Sequence, residues 1–266
     1  MKKQFLLIAA GLAVTLIFFF GFSNKPPKKS VYSELSETLI DSLDIPGEEK
    51  ILSLEKDLKK KSGVQKAGIY HELASEWIQA NRLTIGGDYL RQAADADPSY
   101  ENYMHAGTVL FDAMNTDTAQ QMRMNVIYGA RYCFEKAMDI KPEDTEAKIG
   151  LATVLVQGTN QPMDGILMLR KIDNEDPGNV KVNMVLGNFS IMSGQYDKAI
   201  ERFTTVLEKD SLNLQARYLM AESYLGMQDT INAINTLEKG LKLAQDVEIA
   251  ERIRQDINSL KLNKNI

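Results

Sequence analysis

Val180 to Leu212 reads VKVNMVLGNFSIMSGQYDKAIERFTTVLEKDSL. Apolar residues recur at helical spacing on both sides of the break at Ser193-Gly194-Gln195, so the stretch predicts two amphipathic helices joined by a glycine turn. Gly187 lies inside the first predicted helix, where glycine costs about 1 kcal/mol relative to alanine. Ala199 faces the same seam from the second helix. Because small facing residues let two helix axes approach closely, we expect a tight helical hairpin.

The same pattern recurs along the chain. A small residue followed four positions later by a bulky one occurs at Gly86/Leu90, Ala130/Phe134, Gly165/Leu169, Ala199/Phe203 and Ala233/Leu237. Twelve residues after the small residue stand Pro98, Pro142, Pro177, Ser211 and Gln245. The first four of these positions are predicted helix stops, and they are 44, 35 and 34 residues apart. Repetition with a period near 34 residues predicts stacked hairpins rather than a single helical bundle.

The first predicted helix of each copy carries a second motif, in which a bulky residue precedes Leu or Ala, then Gly or Ala, then another bulky residue. Its copies span Tyr70–Trp77, Tyr103–Leu110, Lys148–Leu155, Asn183–Ser190 and Arg217–Tyr224, and none is perfect. With these residues the chain resembles the tetratricopeptide repeat (TPR) superfamily over roughly residues 65–245. The resemblance implies an all-α, right-handed superhelical solenoid of about five repeats.

The solenoid is expected to cover residues 48–245. Its repeats are placed at about 64–98, 100–142, 143–177, 178–211 and 212–245, after an N-terminal packing helix from Glu48 to Lys61. Repeat two holds roughly ten extra residues around 112–127, which we expect to lengthen its helices. Met114, Met122 and Met124 there either form a contact surface or fill packing gaps. Residues 246–266 are predicted to form a polar-backed capping helix and tail, with a coiled-coil helix as the alternative.

The N-terminus predicts a membrane segment. Phe5 to Phe22 is uncharged and almost wholly apolar, and its residues would span about 27 Å as a helix, close to the thickness of a bilayer core. We expect residues 1–23 to form an uncleaved single-pass signal anchor, followed by a linker and weak helix at 24–47. A cleaved secretory signal is the alternative. No cysteine follows the apolar run, which excludes a lipoprotein anchor.

The location expected from this segment is the cytoplasmic (inner) membrane of a bacterium, with the solenoid in the periplasm. Lysines flank the apolar run on both sides, so the positive-inside rule nearly balances. The short basic start resembles an export signal, which favours transfer of the following chain across the membrane.

Composition limits the classes of partner. The chain has 44% hydrophobic and 25% charged residues and a net charge of −5, values typical of a folded protein without affinity for nucleic acid. Cys133 is the only cysteine, so an intramolecular disulfide is excluded.

No pattern in the sequence indicates catalysis. The only histidines, His71 and His105, lie on the first helices of neighbouring predicted repeats, without further metal ligands at suitable spacing. A glycine-rich phosphate loop and a nucleophile–base constellation are both missing. We therefore predict no enzyme activity, no cofactor and no metal.

In TPR proteins the first helices line a concave groove, so the resemblance implies a protein-binding or peptide-binding surface there. The residues expected to line it are Met104, Thr108, Phe111, Ile149, Thr153, Val156, Met184, Asn188, Ile191, Tyr218, Glu222 and Leu225. The set is mostly apolar, which suits a helix or an extended peptide. Of the polar residues with which some TPR proteins hold a C-terminal carboxylate, only Asn188 is present, so a carboxylate clamp is not expected.

The expected function is a non-enzymatic, membrane-anchored scaffold or adaptor that supports a cell-envelope complex. Two alternatives remain at this level: a soluble exported TPR protein and an accessory subunit of an envelope enzyme. Intact mass of the mature chain distinguishes an anchor from a cleaved signal. Co-purification with an enzyme would favour the accessory subunit.

Overall fold

The computed structural model describes residues 47–114, 120–159 and 162–264, and every regular element within these ranges is an α-helix. The twelve helices are α1 (Glu48–Leu58), α2 (Gln65–Gln79), α3 (Leu83–Ala96), α4 (Tyr100–Ala113), α5 (Gln120–Ile140), α6 (Thr145–Gly158), α7 (Pro162–Glu175), α8 (Val180–Met192), α9 (Tyr196–Lys209), α10 (Leu214–Gly226), α11 (Thr230–Leu241) and α12 (Val247–Lys264).

Short polar side chains begin several of these helices. Ser99, Asn179, Asn213 and Asp229 each accept a hydrogen bond from the backbone N–H three residues later, at 2.9–3.1 Å. Each bond satisfies one of the N–H groups that an α-helix leaves unpaired in its first turn. These four capping residues therefore determine where α4, α8, α10 and α11 begin.

Left-handed residues end the first helix of three hairpins. Asn81, Gly194 and Gln228 have φ of 58°, 71° and 62° and follow α2, α8 and α10. After each of them, the next N–H donates to the carbonyl five residues earlier at 2.8 Å. This C-cap pairs carbonyls left over at the helix end and turns the chain back within a few residues.

In two hairpins, a glycine of the first helix faces a phenylalanine ring of the second helix. Phe203 of α9 is fully buried, and a Cβ added to Gly187 of α8 would lie 2.6 Å from its ring. Gly107 of α4 faces the ring of Phe134 of α5 in the same way, at 3.1 Å. At Gly187 the buried ring occupies the space of a Cβ, so glycine is required there. At Gly107 an added Cβ would displace the Phe134 ring by a few tenths of an ångström.

The chain forms two compact units. The N-terminal unit ends at Ala147 and the C-terminal unit begins at Lys148. In the N-terminal unit, α1 packs on α2 through the fully buried Ile51, and Lys50 forms a 2.6 Å ion pair with Glu76. Helix α5 has 21 residues, whereas α4 has 14, so the extra length of repeat two within the described residues belongs to the second helix alone.

A polar network that surrounds the buried Arg91 links α3, α4 and α5 in the same unit. Arg91 pairs with Asp88 and Asp95, at 2.9 Å each. The hydroxyls of Tyr103 and Tyr132 both donate to Asp95 Oδ1, at 3.1 and 2.9 Å. The carboxylate of Asp95 thus connects one hairpin to both helices of the next.

In the C-terminal unit, three hydrophobic clusters follow one another along the chain. Their buried members are Ile149, Ala152, Val156, Ile166, Leu169, Ile172, Val182 and Leu186, then Ala199, Phe203, Val206, Ala216 and Met220, then Ala221, Ala233, Ile234, Leu237, Ile253 and Ile257. Each cluster joins helices close in sequence, which is the packing expected of stacked hairpins.

The predicted membrane segment within residues 1–23 lies outside the described residues, as does nearly all of the predicted linker and weak helix at 24–47. Among the helices described from residue 47 onward, none combines the length and hydrophobicity required to cross a membrane.

Candidate partner-binding groove

Helix α12 docks onto α10 and α11 along one face. Ala250, Ile253 and Ile257 are buried on this face, and the last two pack with Ala221 and Leu237. The opposite side of α12 is dominated by charged and amide side chains. The helix therefore closes the core of the last hairpin while its polar side stays in solvent.

A groove runs between α10 and α12, and a hydrogen bond crosses it. The Tyr218 hydroxyl of α10 donates to Asp256 Oδ2 of α12 at 2.6 Å. This bond and partial burial raise the pKa of Tyr218, because both favour the neutral phenol. Tyr218 is 42% exposed and stands between two cavities.

The first cavity has a volume of about 360 Å³. It is lined by Leu214, Gln215, Tyr218, Leu219, Ile249, Arg252 and Ile253. The second cavity has a volume of about 270 Å³. It is lined by Tyr218, Ala221, Glu222, Leu225, Leu237, Asp256, Ser259 and Leu260. Both cavities are mainly apolar and open to solvent, so each can receive a bulky aliphatic or aromatic side chain.

The two cavities differ in charge. Arg252 is the only charged residue that lines the first cavity, and Glu222 and Asp256 are the charged residues of the second. Within the described ranges, neither Arg252 nor Glu222 has an ion-pair partner in the protein. The groove is therefore cationic at one end and anionic at the other.

Of the residues predicted to line a binding groove, Tyr218, Glu222 and Leu225 line the second cavity. The three predicted groove residues of α6 have a different environment. Ile149, Thr153 and Val156 are only 5–8% exposed, and the Thr153 hydroxyl donates to its own helix, at Ile149 O. Because α6 is apolar on almost every side, residues beside its packing stripe are buried as well.

The remaining predicted residues lie between these extremes. Met184 and Ile191 are partly buried against the cluster around Phe203, and Asn188 is half-buried on the same helix. In the N-terminal unit, Met104 and Phe111 are half-buried. Thr108 is exposed and donates to Met104 O at 2.9 Å.

Half of the groove was not anticipated from the motif. Ile249, Arg252 and Asp256 belong to α12, which the sequence predicts as a capping helix, with a coiled-coil helix as the alternative. A signal was present, because Ile249 and Ile253 extend the apolar stripe of α12 towards α10. Helical periodicity shows that α12 has an apolar stripe. It does not show which helix packs on that stripe, because this depends on how α12 docks.

The histidines and the cysteine lie elsewhere. Burial, and secondarily the charge of nearby His71, lower the pKa of His105. Across the described ranges no group of three or more His, Cys, Asp or Glu side chains is arranged to hold a metal ion. Cys133 is fully buried, and burial raises the pKa of its thiol.

Comparison with known proteins finds a repeat of known type that covers part of the groove. A family model described as tetratricopeptide repeat matches residues 190–255, which include α9, α10, α11 and the first half of α12. No curated protein matches the chain in sequence.

Among the solved structures that resemble this chain, one TPR protein aligns closely enough to show the fold. TTC0263, a thermophilic TPR protein of Thermus thermophilus, is 16% identical and aligns with a TM-score of 0.51 over 74% of this chain and 99% of its own. YrrB, a TPR protein with an unusual peptide-binding site, is 21% identical over 76% of this chain and 97% of its own, with a TM-score of 0.43. MamA of Desulfovibrio magneticus RS-1 is 16% identical over 66% and 94%, with a TM-score of 0.48. The likeness to TTC0263 shows that the helical hairpins have the TPR fold.

Proposed function

We propose that this chain is a non-enzymatic, membrane-anchored TPR scaffold that binds a protein or peptide partner in the groove between α10 and α12. The observation that carries the proposal is the pair of apolar cavities on the two sides of Tyr218. Each cavity has room for a large side chain, and apolar anchors of this kind supply most of the energy of a typical interface.

The walls of the groove are held in place before a partner binds. They are two helices held together by the cluster that includes Ala221, Leu237 and Ile253. Little backbone ordering is then needed when a partner binds, which lowers the entropic cost of association. Exposed Glu222 and Arg252 at the rim add orientation more than affinity.

A binding role without catalysis is supported by two lines of reasoning. The TPR fold is built to present surfaces between stacked hairpins rather than to enclose a reaction centre. The sequence also lacks the nucleophile, base and phosphate-loop patterns that catalysis commonly requires.

We place the protein at the inner membrane of a bacterium, held by residues 5–22 with the solenoid in the periplasm. The support is the length and hydrophobicity of that sequence. Tethering would confine the groove near membrane proteins and raise its effective concentration for them. On this basis the partner is a component of a cell-envelope complex.

Capture of partners from native membranes tests the site. Ile249→Lys places a charge in the first cavity, whereas Ile231→Lys makes the same change at an exposed position of α11 that lines neither cavity. We expect the full-length protein in mild detergent to lose its specific partners with Ile249→Lys and to keep them with Ile231→Lys. Equal circular dichroism would show that both variants fold, and retention of partners by Ile249→Lys would place binding outside the groove.

Intact mass of the mature protein tests the anchor. An uncleaved chain that remains in the pellet after alkaline carbonate extraction is expected. Loss of about the first 23 residues would reject the anchor in favour of a cleaved export signal.

A further inference from the structure

The two cavities are related by a shift of seven residues along both helices. On α12, Ile249, Arg252 and Ile253 line the first cavity, and Asp256, Ser259 and Leu260 line the second. On α10, the residues of the first cavity are Leu214, Gln215 and Tyr218, and the residues seven positions later, Ala221, Glu222 and Leu225, line the second cavity. The groove therefore repeats itself along its length rather than offering two unrelated holes.

This repeat sets the distance between the anchors of a ligand. Seven residues of α-helix make about two turns and rise about 10.5 Å. A ligand that runs along the groove must present two bulky side chains on one face at this separation.

An α-helix meets the requirement most closely. Its residues i and i+7 lie on one face about 10.5 Å apart. Along a β-strand, residues on one face are about 6.7 or 13 Å apart, so neither spacing fits. A polyproline helix repeats every three residues at about 9.3 Å, which misses the second cavity by about 1 Å.

Charge then restricts the sequence of that helix. The first cavity carries Arg252, and the second carries Glu222 and Asp256, the latter already accepting a bond from Tyr218. A ligand complementary to both places an acidic residue beside its first anchor and Lys or Arg beside its second.

We propose that the groove binds an amphipathic helix of a partner protein, with two bulky apolar residues seven positions apart and a basic residue beside the second. The helix would pack against α10 and α12 as a third helix, with each anchor held as a knob in a hole. This proposal rests on the proposed function and specifies the class of ligand for the same site.

The chain's own apolar stretch at residues 31–44 is a poorer occupant. It contains Glu34, Glu37, Asp41 and Asp44 and no basic residue. Its carboxylates would meet Glu222 and Asp256 at the second cavity, where like charges repel. A peptide of residues 31–44 is therefore the competing ligand in the test.

Synthetic peptides of about 18 residues, rich in alanine so that they form helices, test the ligand class. The heptad peptide has leucines seven positions apart, with Glu beside the first and Lys beside the second. One control has the same composition with the leucines five positions apart, which puts them on different faces. A second control has the heptad sequence with a central proline, which breaks the helix.

Fluorescence anisotropy with the full-length protein in mild detergent measures the affinities. We expect the heptad peptide to bind about tenfold more tightly than either control, because each control loses one buried leucine or the helix that positions it. Leu225→Lys, which puts a charge in the second cavity, should abolish that advantage, whereas Ile231→Lys should not. Equal binding of the proline or five-spaced peptide, or no binding of any peptide, would overturn the helical ligand class. Tighter binding of the 31–44 peptide would assign the groove to the chain itself.

A charge swap tests the second part of the proposal. Glu222→Lys should weaken the heptad peptide about threefold and strengthen a version with Glu in place of its Lys by a similar factor. Glu208→Lys, the same change on an exposed position of α9, should alter neither. Unchanged affinities in Glu222→Lys would refute the basic residue.

These results separate the ligand class from the site. If native partners are lost with Ile249→Lys although no heptad preference is seen, the groove is the binding site and only the helical ligand is wrong. If native partners persist with Ile249→Lys, the proposed function fails as well.

Discussion

The Tyr218 hydroxyl donates to Asp256 Oδ2 at 2.6 Å, and the bond joins α10 to α12 between the two cavities. Tyr218→Phe removes this bond and keeps the ring. We expect a loss of about 1 kcal/mol in the free energy of unfolding and faster hydrogen exchange in α12, because a typical intramolecular hydrogen bond contributes about this much and this one is exposed to solvent.

The same bond predicts a pH dependence at the alkaline end. The pKa of Tyr218 is raised above 10.0 in the folded state, so the bond stabilises the protein fully below that pH. The contribution is lost as the pH rises through the folded pKa. The difference in unfolding free energy between wild type and Tyr218→Phe should therefore shrink above pH 10, and a constant difference would contradict the assignment.

The buried guanidinium of Arg91 predicts a large effect on stability. Its side chain is 9% exposed and pairs with Asp88 and Asp95. Arg91→Met removes the cation and leaves two carboxylates in a partly buried site, so we expect a loss of about 3–5 kcal/mol in denaturant unfolding. In the exposed pair of Lys60 and Asp57, Lys60→Met should leave the denaturant stability unchanged within error, because water screens the pair. Similar losses in both variants would contradict the role of burial.

Two glycines in helices predict effects of opposite sign. A Cβ at Gly165 would collide with the carbonyl oxygen of Ala152 and lie 2.8 Å from Val156, so Gly165→Ala must force α6 and α7 apart. We expect it to lower the melting temperature, at a cost of about 1–3 kcal/mol. Gly68 of α2 has no atom within 4 Å of such a Cβ. Gly68→Ala should therefore stabilise by about 1 kcal/mol through helix propensity.

Glycine positions also show which parts of the fold the sequence determines. Gly187 and Phe203 stand at fixed spacing, so the tight seam between α8 and α9 could be predicted. The network around Asp95 could not be predicted. One carboxylate accepts hydrogen bonds from tyrosines of two later helices, and such contacts produce no periodic pattern in the sequence. The α12 wall of the groove was missed for a similar reason, since its partner is decided by docking. Residues next to the α6 motif were expected in the groove, and the apolar surroundings bury them instead.

Asp144 predicts a pH dependence at the acidic end. Burial alone would raise its pKa, but hydrogen bonds from the Tyr100 hydroxyl at 2.6 Å and the Ala147 N–H outweigh it, and the pKa is lowered from 3.8. A lowered pKa stabilises the fold above the unfolded value, and the contribution is lost as the pH falls below about 3.8. Asp144→Asn keeps an acceptor for both donors but cannot titrate. Its urea stability should fall less than that of wild type between pH 5 and pH 2. Parallel curves would exclude Asp144 as the titrating group.

Cys133 makes the proposed orientation testable with one substitution. Its thiol is fully buried and its pKa is raised by burial, so wild type should not react with a membrane-impermeant maleimide until it is unfolded. Asn235→Cys adds a thiol at an exposed position of α11. If the solenoid lies in the periplasm, spheroplasts carrying this variant should be labelled without lysis, whereas wild type stays unlabelled. Labelling of Asn235→Cys only after lysis would place the solenoid in the cytoplasm. Labelling of folded wild type would show that Cys133 is accessible, and the buried seam of α5 would then have to open.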